Sequence, residues 1–442
     1  MAPKDNFDDL VRIEAIDHQG RGIAHQNEKT IFIENALLGE KVSFRIFKKS
    51  KKVFFAKSEN IFEASPQRSQ PICTYYGICG GCSMQHYEYG AQVAYKQKAF
   101  EETLWHVAKV KPDTIFSPIF GPQKQYRHKA RLRTKFVDKK NKVLVGFNEK
   151  LSHFLTDMTS CEVLPKKISN LLEPLQKSLS RLSIKDAVPQ IEYASNQDRH
   201  ILVLRILKPL STNDTDELMR FQTEFQVEVW TQTKGHDTVK PLLETTDHLI
   251  EFKNDEYNLS YQFNPTGFTQ INPFINQVMI RRSMYYLDPK KNELIFDFFC
   301  GLGNFTLPIA TFQSKVVGFE GDRFLVDAAN KNAQKNKLDH LVSFMQLDLF
   351  KHSNDVLTPL GQADKWLIDP PRDGAQNLIQ QINQTNRPKR IVYVSCNPAS
   401  LARDAGILVH EKNYTFKGAG ILNMFPHTSH VESISVFESN ED

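Results

Sequence analysis

No apolar run in this sequence of 442 residues approaches the roughly 20 residues needed to cross a bilayer. Its opening residues, MAPKDNFDDLVRIEAID, show no charged segment followed by an apolar one, so no secretory signal is read there. Six cysteines are too few for a disulfide framework in a chain of this length. Internal repeats and low-complexity tracts are absent. Neither sign of charge dominates: a net charge of +5 and a pI near 8.7 permit a nucleic-acid partner without demanding one. These absences lead to the expectation of a cytoplasmic protein, not bound to membrane, whose cysteines serve a metal or catalysis.

What is present fits a globular protein, with 40% hydrophobic and 24% charged residues. Single cores stop growing near about 250–300 residues, so two or three domains are expected. Residues 8–62 read as short strands with polar turns, a spacing that suggests a small β-barrel. Lys48, Lys49, Lys51 and Lys52 fall where two of these strands would meet, either as a solvated tip or as a phosphate-contacting edge. A helical pattern covers AQVAYKQKAFEETLWHVAKV, near 91–110, and a β-rich stretch follows to about 265. Asn264-Pro265-Thr266-Gly267 breaks the pattern. Beyond it, apolar runs alternate with helical stretches, as in a doubly wound parallel sheet. The domains drawn are 1–63, 64–267 and 268–442.

Chemistry concentrates in the last of these. The strand ELIFDFF runs into Cys300-Gly301-Leu302-Gly303-Asn304 and then a helix, and Glu320 closes the next strand about twenty residues on. The loop lacks the third glycine that a dinucleotide would want. Carboxylates at strand ends, Asp297, Glu320 and Asp369, suit a sulfonium instead, so S-adenosylmethionine is the preferred ligand. Asp369-Pro370-Pro371-Arg372 stiffens the loop after a further strand. Amino-group methyltransferases often place an aromatic ring where Arg372 stands, which weakens that alternative. RIVYVS ends in Cys396-Asn397-Pro398, with Asn397 as helix cap and Pro398 at the first helical position. Cys396 therefore precedes a helix N-terminus, where the dipole favours a thiolate. A thiolate beside a methyl donor suits attack on carbon 6 of a pyrimidine, which makes carbon 5 nucleophilic. The adduct must then lose its carbon-5 proton to a base, for which Glu432 is the candidate, with His427 and His430 as alternatives.

Two further patterns stand out. Cys73, Cys79 and Cys82, with distant Cys161, suffice for zinc or for an iron–sulfur cluster, and the spacing does not choose between them. In YRHKARLRTKF, strict alternation places Arg127, Lys129, Arg131, Arg133 and Lys135 on one strand face, a phosphate-binding arrangement.

Taken together, SCNP, HVES, FNPTGFTQIN, DPPR and the four cysteines resemble the bacterial RNA uracil-C5 methyltransferases, which make 5-methyluridine. The resemblance covers nearly the whole chain. It implies an α/β and β architecture: an N-terminal OB-like TRAM barrel that binds RNA, a central β-rich iron–sulfur domain, and a C-terminal Rossmann-like methyltransferase domain, on which the helix near 91–110 packs. It implies a [4Fe–4S] cluster on Cys73, Cys79, Cys82 and Cys161, and S-adenosylmethionine contacts from Gln270, Phe299, Asn304, Glu320, Asp348 and Asp369. Cys396 is then the nucleophile, Glu432 the base, and Asp369 a third catalytic group. Barrel and cluster together point to the branch acting, as a monomer, on 23S ribosomal RNA. The alternatives are another rRNA site or tRNA and, from a different class, a non-catalytic iron–sulfur RNA-binding protein.

Overall fold

A computed structural model describes residues 10–196, 198–244, 248–350 and 357–440. The first nine residues, which enter the signal reading and the first domain, lie outside them. Contacts divide the chain into two compact units: Met1–Ala99 with Phe147–Thr156 and Phe425–Ser429, and Phe100–Gly146 with Asp157–Met424 and His430–Asp442. No helix among the described residues is long and apolar enough to cross a membrane.

The first unit holds a six-stranded sheet in the order Leu10–Arg12, Lys41–Lys49, Val53–Glu63, Lys29–Glu34, Gly22–Gln26, Ala15–Ile16. Period-2 patterning turns Ile31 and Ile33 inward onto Ile13, Ala24, Val42 and Phe54. Lys48, Lys49, Lys51 and Lys52 are exposed at the turn between the two longest strands. Short polar contacts tie the cysteine segment, and its Met84 and Tyr87 pack in a small core with Leu37. The Tyr76 hydroxyl lies 2.8 Å from the Ser83 carbonyl and 2.5 Å from His86 Nδ1. The amides of Ser83 and Met84 both donate to the His427 carbonyl, at 2.9 and 3.0 Å.

The second unit contains two large sheets. One runs Lys240–Pro241, Glu228–Gln232, His200–Arg205, Gln190–Ser195, Lys129–Val137, Lys142–Gly146. The other has eight strands: Val342–Gln346, Lys315–Glu320, Leu294–Phe298, Lys365–Ile368, Arg390–Ser395, Glu432–Ser439, Tyr414–Leu422 and Thr114–Ile115. Its first five are parallel. Helices cover a parallel sheet on both faces, so its strands read as unbroken apolar runs, and Ile391, Val392, Tyr393 and Val394 are all fully buried. Phe298 stacks on Phe319 and meets Trp366 edge-on, each pair 4.9 Å between centroids. The order reverses between Leu294–Phe298 and Lys365–Ile368, which opens a crevice at the carboxyl ends of these two strands.

Two local devices set the crevice walls. Asn397 caps the helix Pro398–His410 by accepting from the Ala399 amide at 3.1 Å, with Pro398 at the first position, as the sequence predicts. Inside that helix, fully buried Asp404 accepts from the Ala375 amide and the Tyr393 hydroxyl, both at 2.7 Å, and from Arg403 Nε at 2.9 Å. It thereby joins the loop after Asp369 to the strand before Cys396. Asp404→Ala leaves these donors without an acceptor and should lower stability by about 3 kcal/mol or more. The urea unfolding midpoint reads this directly; an unmoved midpoint would show that Asp404 does not hold the crevice together.

Candidate active site

A cavity of about 580 Å³ lies at this crevice in the second unit. The glycine loop makes its floor. Gly301 and Gly303 adopt φ of +56° and +94°, which their lack of a Cβ permits, and Phe299 is held at +64°, a rare conformation for a bulky residue. Such strain persists only where surrounding structure enforces it, and here it turns the Phe299 ring into the cavity wall. Asn304 exchanges two side-chain hydrogen bonds with Asn276, at 3.0 and 3.1 Å, which fixes both amides at the wall.

The remaining predicted ligand contacts divide. Gln270, Phe299, Asn304 and Asp369 line the cavity. Glu320 accepts from the Gly301 amide at 3.1 Å and the Asp322 amide at 3.0 Å, so it braces the loop from the next strand. Asp348 is exposed and accepts from the Phe350 amide at 3.0 Å. Sequence reasoning missed the hairpin Ile250–Asn254 and Leu259–Phe263, which adds Phe252, Asn254 and Phe263 to the wall. Its signal was present in the alternation of Leu259, Tyr261 and Phe263 just before the Asn264-Pro265 break.

Carboxyl groups collect around this crevice, Asp297 and Glu432 buried and Asp369 at the cavity. Burial pushes Asp297 up to about 8, opposed by the Thr306 hydroxyl donating to its Oδ2 at 2.5 Å. Burial alone takes Asp369 to about 7. Glu432 opens the strand that pairs with Arg390–Ser395, and burial, helped by the charge of Asp369, raises it well above the carboxylate range. The charges of Glu432 and Asp369 reach the Cys396 thiol; with burial they push it up to about 12, against the opposing pull of Arg372. The helix N-terminus expected to favour a thiolate is in place, and desolvation together with the two acids opposes it. Of the alternative bases, His427 falls in the other unit and His430 is exposed.

The cationic strand is corrected in part. It begins at Lys129, so Arg127 precedes it and bonds through Nε to the Lys129 carbonyl at 3.3 Å. Arg131, Arg133 and Lys135 are exposed on one face as expected, with Ala130, Leu132 and Thr134 buried on the other. Lys129 instead lines the cavity. Cys73, Cys79 and Cys82 lie in the first unit, and Cys161, buried, lies in the second, where its amide donates to Ser169 Oγ at 2.8 Å. Among the described residues, no group of three or more His, Cys, Asp and Glu side chains is placed to hold a single metal ion.

A switch-point cavity with a glycine loop and strand-end acids defines a Rossmann-like methyltransferase fold, and the comparisons agree. Residues 88–440 match the family described as tRNA (Uracil-5-)-methyltransferase, and residues 10–58 match the TRAM domain. The chain belongs to that methyltransferase family. It is 47% identical to the 23S rRNA (uracil(1939)-C(5))-methyltransferase RlmD of Aromatoleum aromaticum, over 97% of this chain and 99% of that one. It is 44% identical to the enzyme so named from Nitrosospira multiformis, over 97% and 98%. The fold is shared with the crystal structure of Pyrococcus abyssi tRNA (uracil-54, C5)-methyltransferase in complex with S-adenosyl-L-homocysteine, with a TM-score of 0.74 and 21% identity over 97% of this chain and all of that one.

The raised Asp369 carboxyl has a consequence for stability. Its folded value, about 7, exceeds the unfolded value near 4, so the folded state keeps a proton that the unfolded state releases. Stability should therefore fall as pH rises through that window. Asp369→Asn removes the ionisable group: it should melt above the parent at pH 8, and the two should converge below about pH 4. Thermal melts across this range check it; a pH-independent difference would contradict the assignment.

Proposed function

We propose that the chain methylates C5 of a specific uridine in 23S ribosomal RNA, giving 5-methyluridine and S-adenosylhomocysteine, through a covalent bond from Cys396 to C6 of the uracil. One observation carries the chemistry: the Cys396 thiol lies within the electrostatic reach of two carboxyl groups, Asp369 and Glu432, whose strands flank its own at one edge of the sheet. Support for the substrate comes from the names of relatives that align over nearly their full length.

The cavity residues fit S-adenosylmethionine. Gln270, Phe299, Asn304 and Asp369 would hold it, with Glu320 fixing the loop beneath, and buried polar atoms of Lys129 and Asn254 in the wall have no hydrogen-bond partner among the described residues. Asp348 would act at the margin. When bound, the donor supplies an electrophilic methyl group. The chain's own part is nucleophilic and proton chemistry. Cys396 gives its proton to solvent water and its sulfur bonds to C6, which moves the ring electrons toward O4 and makes C5 nucleophilic. After C5 gains the methyl, Glu432 in its ionised form removes the C5 proton, the double bond re-forms, and the sulfur leaves. Asp369, poised near neutrality, keeps the site's charge low until a cation enters.

The three-part division at 1–63, 64–267 and 268–442 is kept for function. The OB-like TRAM barrel and the exposed row Arg131, Arg133 and Lys135 grip phosphates. Cys73, Cys79, Cys82 and Cys161 form an all-thiolate donor set that suits a [4Fe–4S] cluster, whose ligands stand wider apart than those of one ion. The Gly81 amide, 3.4 Å from Cys79 Sγ, is the kind of donor such a sulfur accepts. A reducing cytoplasm is the matching location, and a monomer the matching state.

RNA carrying 5-fluorouridine tests the mechanism, because fluorine cannot leave as a proton. The protein should become covalently attached to such RNA with the methyl group added. Cys396→Ala should form no adduct and lose activity by about 10⁴-fold or more, whereas Glu432→Gln should accumulate adduct on normal RNA. Normal methylation by Cys396→Ala would end the proposal, and methylation of tRNA but not 23S RNA would move it to the other substrate. For the cluster, anaerobically purified protein should carry about four iron and four sulfide per chain. Stoichiometric zinc in their place would overturn that part alone.

A further inference from the structure

Lys129 differs from the other cations of its strand. Arg131, Arg133 and Lys135 point to solvent, but the Lys129 ammonium is shut off from it and has no hydrogen-bond partner among the described residues. Lys129 is one of the residues lining the cavity that also presents Gln270, Phe299 and Asn304, with its ammonium covered. Glu192, whose charge reaches it, is already engaged: its Oε1 accepts from Arg131 at 3.2 Å and from Gln190 at 3.0 Å. The neighbouring His128 amide donates to the Ile271 carbonyl at 2.8 Å, so the start of this strand is fastened to the segment between Gln270 and the helix Pro273–Leu287.

A buried cation without a partner is costly, by several kcal/mol in an apolar setting. Burial accordingly lowers its affinity for the proton to about 8, close to the point where the charge is lost. The cost makes sense if the counter-charge arrives with a ligand. S-adenosylmethionine carries one anionic group, the carboxylate of its methionine portion, and two cations, the sulfonium and the α-ammonium beside that carboxylate. An ammonium repels the sulfonium and attracts the carboxylate. The acid Asp369 lines the same cavity and suits the sulfonium, which leaves the cationic wall for the other end.

Resting on the reading of this cavity as the donor site, we infer that Lys129 is a donor-binding residue that seats the carboxylate of S-adenosylmethionine, not an RNA contact. The phosphate-binding row then comprises Arg131, Arg133 and Lys135, and its innermost position belongs to the methyl donor. RNA phosphate is a poor alternative occupant, because three exposed cations on the same strand already offer phosphates an open surface, while Lys129 lies among the residues of the donor cavity.

Calorimetry with two ligands tests this without turnover. S-Adenosylhomocysteine carries the carboxylate; 5′-methylthioadenosine keeps the adenosine and sulfur but lacks it. Lys129→Met, which keeps the length and removes the charge, should weaken S-adenosylhomocysteine by about tenfold to a hundredfold. It should leave 5′-methylthioadenosine within about twofold, which also shows that the cavity is folded. Equal losses for both ligands would mean that Lys129 only shapes the wall, and unchanged S-adenosylhomocysteine binding would mean that its partner lies elsewhere; either overturns the inference. Failure of the unaltered protein to bind S-adenosylhomocysteine would instead remove the donor-site reading beneath it. RNA affinity measured on the same variant should be unaltered, and a loss confined to RNA would return Lys129 to the phosphate row.

Discussion

Carboxyl groups kept from water beside a thiol govern this site. Asp297, Asp369 and Glu432 are each displaced toward the neutral form by burial, and each lies at an end of a strand in one sheet. The resting site thus stores protons where an exposed site would store charge. A cation entering the crevice makes ionisation of these acids cheaper, so a sulfonium ligand and the carboxylates favour one another. The thiol obeys the same rule with the opposite consequence. A helix N-terminus is worth about 0.3–1 kcal/mol to a nearby anion, up to about 2 when partly buried. Desolvation and two acids exceed that, and the sulfur remains protonated near neutrality. A thiol in this state resists the oxidation to which standing thiolates are prone. On the proposed mechanism, the nucleophile is therefore made when substrate is present.

Topology explains why these groups meet. Reversal of strand order puts the end of Leu294–Phe298 beside the end of Lys365–Ile368, and Arg390–Ser395 follows next in the sheet. Glu432 comes from an antiparallel strand, so its first residue, not its last, lies at this edge. One sheet edge thus collects a glycine loop, an acid, a thiol and a second acid from segments up to 135 residues apart, between Asp297 and Glu432.

Much of this was legible because buried parallel strands leave strong marks. ELIFDFF, SKVVGFE, KWLID and RIVYVS are apolar without alternation, and each ends in the residue that matters or just before it. The cap Asn397 and the positive-φ glycines could be read from local chemistry alone. The state of Cys396 could not, since proximity to Glu432 and Asp369 is set by sheet order and outweighs the local dipole. Alternation in the cationic segment located a face correctly but said nothing of where the strand begins, and that boundary separates Arg127 from the rest. The hairpin Ile250–Phe263 was absorbed into an undivided β-rich region, because the alternation in each of its strands has only five residues to run. Glu320, which bonds the glycine loop, is marked by its place at the end of a strand, whereas Asp348, an exposed turn acid, is marked only by the family resemblance.

The strand Lys129–Val137 shows how one pattern can serve two needs. Its exposed cations lie on a face that period 2 dictates, where solvent screens them and anions can reach them. Continuing that face inward brings Lys129 to a closed wall, where screening fails and an unpaired charge becomes expensive. The change from surface to interior occurs within two residues, with no change of residue class. On the proposed readings, charge type marks the strand for anions, while burial decides which anion. Outside, repeated phosphates of a polynucleotide suit a row of separated, mobile cations; inside, a single carboxylate in a fixed place suits one desolvated ammonium. Both demands are met by one alternating sequence because the strand itself crosses from one environment to the other.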